Sequence, residues 1–428
     1  MRRSQKVVLL FGILTAVLLL VLTATATHVS APEAYLPLIS KPDLRYEVRA
    51  VWVTRFEWAN TSTTPATISE IVDDIAYAGF NTIYFQVRGE ADAYYQPGLE
   101  PWGRRLTGNL GQDPGWDPLA DMIQKAHAKG LQVHAYINTY PVWGGCSPPP
   151  TGTNPQHLYY KLLDVHGQYN GVPRALQWRD SDADPLSCAD GYMRASPASI
   201  EVDEHMLQAA DYILNHYDVD GLHLDHTRYT NSGSCDPVSL CRYNGQGANC
   251  DHTQYTCNLN SLDYQNWMRA QVNGTVAKFY DLVAGKDRKL WLSAAVWPVY
   301  SSGRNTYFQD SKAWLASGDI DSISPMIYSW AGSFSNSDWK ALVAEFQAAN
   351  AGRYVIPGIG GLAFENFAEI EDRIEYARSL GTAGHAIFAY SYLKDYPGIG
   401  EGEPGYFDDL RNGPYASPAI PPPINWHP

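Results

Sequence analysis

Four polar side chains, Asp225-His226-Thr227-Arg228, follow directly on the largely apolar run Val219-Asp220-Gly221-Leu222-His223-Leu224. The pattern is that of a short buried strand entered by a turn at Asp220-Gly221. Charge placed where a buried strand meets water costs free energy unless it is paired or used, so Asp225 is the first candidate for a chemical centre. Cleaving a glycosidic bond usually takes two carboxyl groups, one to protonate the leaving oxygen and one to act at the anomeric side. Glu90 and Asp92, in Arg88-Gly89-Glu90-Ala91-Asp92, are the candidates for the second. Either can instead cap that turn, and Asp225 can be a buried acid ion-paired with Arg88 or Arg228. Glu57 and Glu365 also follow apolar runs and read as structural, Glu365 as the opener of a helix. Arg88, Asn138, Tyr140, His226 and Tyr328 are suited to hydrogen bonding a sugar, and Trp297 and Trp330 to stacking on one. If strand geometry persists, His226 points away from Asp225 and acts on its neighbours or replaces a second acid only in part.

These residues need elements to position them. Apolar, β-branched runs alternate with amphipathic ones: strands at 47–55, 81–88, 131–138, 220–228, 290–297, 321–328, 354–359 and 385–391, with helices at 68–78, 118–129, 199–217, 262–282, 307–317, 337–349 and 368–380. Strict alternation calls for a parallel sheet, and eight units predict an α/β fold closed as a (β/α)8 TIM barrel. In such a barrel the active site lies where the strands exit. Candidate residues crowd those exits, whereas Asp220, Asp319 and Asp321 sit at entries and read as turn residues. His134 and His223, inside strands, read as core or barrel-lining groups.

The net charge of −14 and the absence of a basic run beyond the first residues argue against a nucleic-acid partner. Residues 1–26 have a basic start, an apolar run from Val7 to Leu22 and small residues at Ala24-Thr25-Ala26. That is an export signal, either cleaved or kept as an N-terminal membrane anchor, and it predicts a secreted or extracytoplasmic protein. Residues 27–44, with Pro32, Pro37 and Pro42, read as a linker, 45–415 as the barrel domain and 416–428 as a Pro-rich tail. On an exported chain six cysteines predict disulfides that staple the long loops after the third and fourth strands. Cys146 is expected to pair with Cys188, and Cys235, Cys241, Cys250 and Cys257 among themselves in an unspecified pattern. No Cys-x2-Cys pair or other metal spacing occurs, and no Gly-x-Ser-x-Gly, phosphate-loop or dinucleotide motif, so neither a metal nor a cofactor is expected.

The stretches EVRAVWVTR, GFNTIYFQVRGEADAYY, PWGRRLTG, GQDPGWDPLADMIQKAHAKGLQVHAYINTY, VDGLHLDHTRY, IDSISPMIYSW and AIFAYSYL, in this order, resemble the glycosyl-hydrolase-like family 10 barrels. These are exported bacterial proteins that include a hydrolase of peptidoglycan glycan strands stripped of peptide. The resemblance implies functional positions at Arg88, Asp92, His127, His134, Asn138, Tyr140, Asp225 and Tyr328. The chain departs from it twice. His226-Thr227 stands where the family has a second Asp and a Tyr, and Gly89-Glu90-Ala91 where it has Pro-x-Gly. Met326-x-Tyr328 is also similar to a motif of family 18 chitinase-like enzymes.

The expectation is therefore a glycoside hydrolase acting on a polysaccharide that contains N-acetylhexosamine, by carboxylate acid/base catalysis. Asp225 is expected to act with Glu90 or Asp92. The rival, supported by His226, is a non-catalytic cell-surface glycan-binding barrel. A deacetylase or esterase lacks both the metal set and the nucleophilic Ser.

Overall fold

The structure is a computed structural model that describes residues 45–178, 191–230, 232–328, 334–361, 367–394 and 406–427. Nine strands form one parallel sheet: β1 (Val48–Val53), β2 (Thr82–Arg88), β3 (Gln132–Asn138), β4 (Gly221–Asp225), β5 (Trp291–Val296), β6 (Ser322–Pro325), β7 (Tyr354–Val355), β8 (Gly358–Gly360) and β9 (Gly384–Phe388). Their order is β7-β6-β5-β4-β3-β2-β1-β9-β8. The two edge strands are the halves of one run interrupted at Pro357, which has no N–H to give a ladder. Ile356 N–H still donates to Ile323 on one side, and Ala386 N–H donates to Pro357 on the other. The sheet thereby curls onto itself, giving a TIM-barrel-like α/β fold. Pro325 in the same way ends β6 before the expected Tyr328.

Helices α1 (Pro65–Ala78), α2 (Pro118–Ala128), α3 (Ile200–His216), α4 (Leu262–Ala284), α5 (Ser311–Ser317), α6 (Asn336–Gln347) and α7 (Phe367–Leu380) join successive strands. Their ends follow local chemistry. Pro65 opens α1 at its first turn and Gly79, at φ 92°, closes it in the left-handed region. Asp117 caps α2 by accepting from Leu119 and Ala120 N–H. The helix expected over 307–317 begins only at Ser311, because Phe308 adopts φ 53°, and a separate short helix, Tyr300–Thr306, precedes it. Helix α8 (Tyr406–Asn412) lies on α1, where Tyr77 Oη donates to Asp408 and Arg411 donates to the Tyr77 carbonyl.

Residues pointing outward from the strands pack with the helices into the main core, and inward-facing ones form a second, smaller cluster around Trp52, Tyr84, Tyr136 and Trp291. This interior is hydrogen-bonded as well as apolar. Trp52 Nε1 donates to His223 Nε2 at 2.9 Å, and His223 Nδ1 lies 2.8 Å from Ser293 Oγ. Tyr84 stacks on His223 with centroids 3.9 Å apart. Burial holds the His223 imidazole neutral, with its pKa down at about 3. His223 thus ties β4 to Trp52 of β1 and Ser293 of β5 inside the barrel.

Cys235–Cys257 and Cys241–Cys250 are bonded, both within the segment that follows β4. Cys146 is also in a disulfide, and its expected partner Cys188 lies outside the described residues. Residues 1–44, which hold the expected export signal and linker, lie outside them too. No helix among the described residues is long and apolar enough to cross a membrane.

The Pro-rich tail is part of the fold. Ala419–Ile420 pairs in parallel with Arg45–Tyr46, Ile424 is buried, and Tyr354 Oη donates to the Pro423 carbonyl. Asp321, expected to be a simple turn residue, is fully buried beneath it. Its carboxylate accepts from Leu292 N–H at 2.6 Å and from Trp426 Nε1 at 2.5 Å. Trp426→Ala removes both a donor to a buried acid and apolar contact. It is expected to cost about 2–3 kcal/mol in urea denaturation.

Candidate active site

A cavity of about 490 Å³ opens at the exits of the strands. Its lining includes Arg55, Phe56 and Glu57 after β1, Tyr136 and Asn138 on β3, Asp225, His226 and Arg228 at the end of β4, and Tyr328 after β6. Phe388 at the end of β9 and Ser391 and Tyr392 just after it complete the lining, and Tyr192 enters from the segment that follows β3. The size is that of a small-ligand site.

Asp225 is the most elaborately held group. Tyr136 Oη donates to its Oδ2 at 2.7 Å, His226 N–H to Oδ1 at 2.5 Å and Arg228 Nη1 to Oδ1 at 3.3 Å. Burial alone pushes its pKa up. The Arg228 charge beside it and the hydrogen bonds from Tyr136 Oη and the His226 backbone N–H outweigh burial and hold the carboxyl well below the usual range. Asp225 is a fixed carboxylate.

Glu57, read as structural from its position, stands in the same cavity with the opposite bias. Burial pushes its carboxyl pKa up, although Ser391 N–H donates to it at 2.7 Å and Thr54 N–H also donates. It is the third residue of the one-turn helix Arg55–Trp58, capped by Thr54. One cavity thus holds one carboxyl driven to the ionised form and one driven toward the protonated form, the separation that acid/base pairs use.

The carboxyl groups expected to partner Asp225 sit elsewhere. Neither Glu90 nor Asp92 is among the cavity-lining residues. Glu90 accepts from Arg55 at 3.1 Å, Arg104 at 3.2 Å and Gly144 N–H at 3.0 Å. Asp92 Oδ1 accepts from Gly89 and Glu90 N–H and closes the turn in which Ala91 takes φ 55°. Burial and the neighbouring Glu90 push its pKa up. Glu90 therefore anchors Arg55, whose Nη2 also donates to Tyr192 Oη at 2.9 Å. A Cβ on Gly89 would meet Arg55 Nε at 2.3 Å, so a larger residue there would displace the Arg55 side chain.

Arg88 is likewise internal. It is fully buried, makes a forked contact with Glu100 at 2.8 to 3.0 Å and donates to the Asn138 carbonyl. The Arg88 and His205 contacts overcome burial and hold Glu100 at a pKa of about 2. The ion pair of Asp225 is with Arg228, not Arg88. Tyr140 leaves the barrel: it is buried against α4, with Oη donating to Thr275 at 3.0 Å. Strand alternation stops at Asn138, so a side chain two residues on no longer shares its face.

Asn138 lines the cavity and is oriented by Gln86, which donates to its Oδ1, and by its own donation to the Gly89 carbonyl. Tyr328 stacks on Phe388 with centroids 4.5 Å apart and planes 3° from parallel, a flat apolar wall. Trp297 is outside the lining and carries Arg228 on its face at 5.5 Å. Trp330 and Glu365 lie outside the described residues. His127 pairs with Asp220 at 2.9 Å at the entry end, and His134 is buried inside the barrel.

His226 does not point away from Asp225. Its φ of 52° ends the strand in the left-handed region, tolerable for His, and brings Nε2 to 4.0 Å from Asp225 Oδ2. Tyr136, Arg194, Tyr192 and Phe388 are site residues that sequence reasoning missed. Tyr136 had a signal, since it is two residues before Asn138 on the same strand.

The family model described as glycosyl hydrolase-like 10 matches residues 47–365. Glycosyl hydrolase YngK of Bacillus subtilis (strain 168) is 26% identical over 421 residues, covering 91% of this chain and 76% of that protein. Glycosyl hydrolase DigH of Escherichia coli K12 is 23% identical over 353 residues, 74% of each. Among solved structures, the PgaB (BpsB) glycoside hydrolase domain from Bordetella bronchiseptica superposes with a TM-score of 0.56 at 11% identity, covering 82% of this chain and 96% of that domain. Alpha-L-fucosidase isoenzyme 2 from Paenibacillus thiaminolyticus gives 0.54 at 14% identity, covering 87% and 49%. The structural likenesses carry the fold, and the match over residues 47–365 carries the assignment: the chain belongs to the glycosyl hydrolase-like 10 family.

Proposed function

We propose that this protein is an exported glycoside hydrolase that cleaves a polysaccharide containing N-acetylhexosamine, of the peptidoglycan kind, outside the cytoplasm. What carries the proposal is the pairing, in one cavity, of the ionised Asp225 with the protonation-biased Glu57. Asp225 acts on the anomeric side, as nucleophile or by orienting the acetamido group. Glu57, in place of Glu90 or Asp92, protonates the leaving oxygen. Asn138, Tyr328 and His226 hold the sugar, whose apolar face lies against the Tyr328–Phe388 wall. Glu90 and Tyr192 position Arg55. Disulfides in the segment after β4 and the apolar N-terminal run of the sequence support work outside the reducing cytoplasm, with the N-terminus as signal or tether.

The test is turnover. Peptide-free peptidoglycan strands, chitin oligomers and α-glucans are incubated with the protein, and new reducing ends are counted. Cleavage of one of the acetamido glycans is expected. One observation favours the rival, a glycan-binding barrel: both Glu57 oxygens already accept backbone N–H bonds, one from Thr54 in a capping box and one from Ser391. Saturable binding to these glycans with no new ends from any of them supports that rival and overturns the enzyme.

A further inference from the structure

The nitrogen atoms of His226 are not equivalent. Arg194 Nη1 stands 2.9 Å from Nδ1, and Arg228 Nη2 stands 3.4 Å from the same atom. A guanidinium can only donate, so Nδ1 must present its lone pair. An imidazole whose Nδ1 is an acceptor and which is neutral carries its single proton on Nε2. That nitrogen belongs to a cavity-lining residue and lies 4.0 Å from Asp225 Oδ2.

From this geometry we infer that His226 is a non-titrating hydrogen-bond donor, its Nε2–H locked by Arg194 and Arg228 and offered to an oxygen of the sugar held beside Asp225. The inference rests on the hydrolase reading for the identity of the ligand, and on the two arginines for the tautomer. The groups facing the ring are Asp225 and Arg228 from its own segment, Arg194 and Tyr192 from the short strand Tyr192–Arg194, and Arg55 from the exit of β1. Asp225 is the anion among them and favours the imidazolium. Burial and the three guanidinium groups oppose it, and burial is the largest influence. The result is a donor that keeps its proton and its charge state through the range where a free histidine titrates. No proton leaves His226 in the reaction. The neutral imidazole donates to an oxygen of the bound sugar and holds it in place, and the proton for the leaving group comes from another residue. His226 thus does not replace a second acid, although it stands next to the catalytic carboxylate.

Two measurements test this. In protein labelled with nitrogen-15 at histidine, His226 should show one protonated and one bare nitrogen, unchanged from about pH 5 to about pH 8. In turnover, His226→Gln keeps an N–H close to the Nε2 position and should retain kcat within about 10-fold. His226→Leu, which has no donor, should lose about 100-fold or more. Thermal melts of both variants check that they fold. A His226 resonance that titrates within that window overturns the locked tautomer. A Gln variant that is folded and as inactive as the Leu variant overturns the donor role. If the wild type cleaves no glycan, the hydrolase reading fails by itself, and the nitrogen spectrum still decides the tautomer.

Discussion

Asp225→Asn is expected to lower kcat on the order of 10³-fold or more while leaving glycan binding nearly intact. The substitution keeps the shape of the side chain and deletes its charge. In the wild type that charge is held by Tyr136 Oη, the His226 amide and Arg228, all donors that already point at it. No reorganisation is needed when positive charge develops at the anomeric carbon, and that readiness is what the amide cannot reproduce. On the proposed reading, affinity should depend more on the Tyr328–Phe388 wall and on Asn138, which the substitution does not touch. The same contacts predict the pH behaviour. A carboxyl whose folded pKa is depressed contributes stability that is present above its unfolded value of about 3.9 and is lost as pH falls through the lower folded value. The Asn variant should therefore melt below the wild type at neutral pH, with the gap closing under acid. Turnover by the wild type should show no acid limb from Asp225 above about pH 4. A variant with half the wild-type kcat removes Asp225 from the chemistry.

The sequence makes the frame readable because each strand and helix is specified locally, by apolar periodicity and by end signals such as Thr64-Pro65 and Gly79. The position of Asp225 is readable for the same reason: it ends an apolar strand, and barrels put their chemistry there. What failed was the direction of side chains once the strands had ended. Tyr140 and Asn138 look equivalent by spacing, yet only Asn138 is still on the strand. His226 was expected to follow alternation, and a single positive φ reversed it. The Arg55–Glu90–Arg104 and Arg194–His226 contacts join segments far apart in sequence, so no local pattern announces them. Glu57 is a different case. Thr54-x-x-Glu57 is a capping signature that the sequence carries, and a structural role for Glu57, inferred from its place after a strand, says nothing of the cavity on its other side.

That double character makes Glu57→Gln the sharpest remaining experiment. If Glu57 is only structural, glutamine can still accept one of the two backbone N–H groups, Thr54 or Ser391, and its NH2 then faces the other donor. The cost is about 1–3 kcal/mol of stability, and kcat does not move. If it is the general acid, the amide has no proton to give, and kcat with a natural glycan should fall about 10²- to 10⁴-fold. The pH profile carries the sign. Burial raises the Glu57 pKa, so the carboxyl is protonated and active at low pH and loses its proton as pH rises through that raised value. Wild-type turnover should therefore fall on the alkaline side, and the Gln variant should lose that limb along with its rate. A substrate with an activated aryl leaving group needs no proton from the enzyme, so the variant should cleave it at nearly the wild-type rate. Equal loss on natural and aryl substrates would move Glu57 from proton donor to support of the cavity wall. Selective loss on the natural glycan makes it the partner of Asp225, with the two carboxyl groups divided between their roles by burial on one side and by Tyr136, His226 and Arg228 on the other.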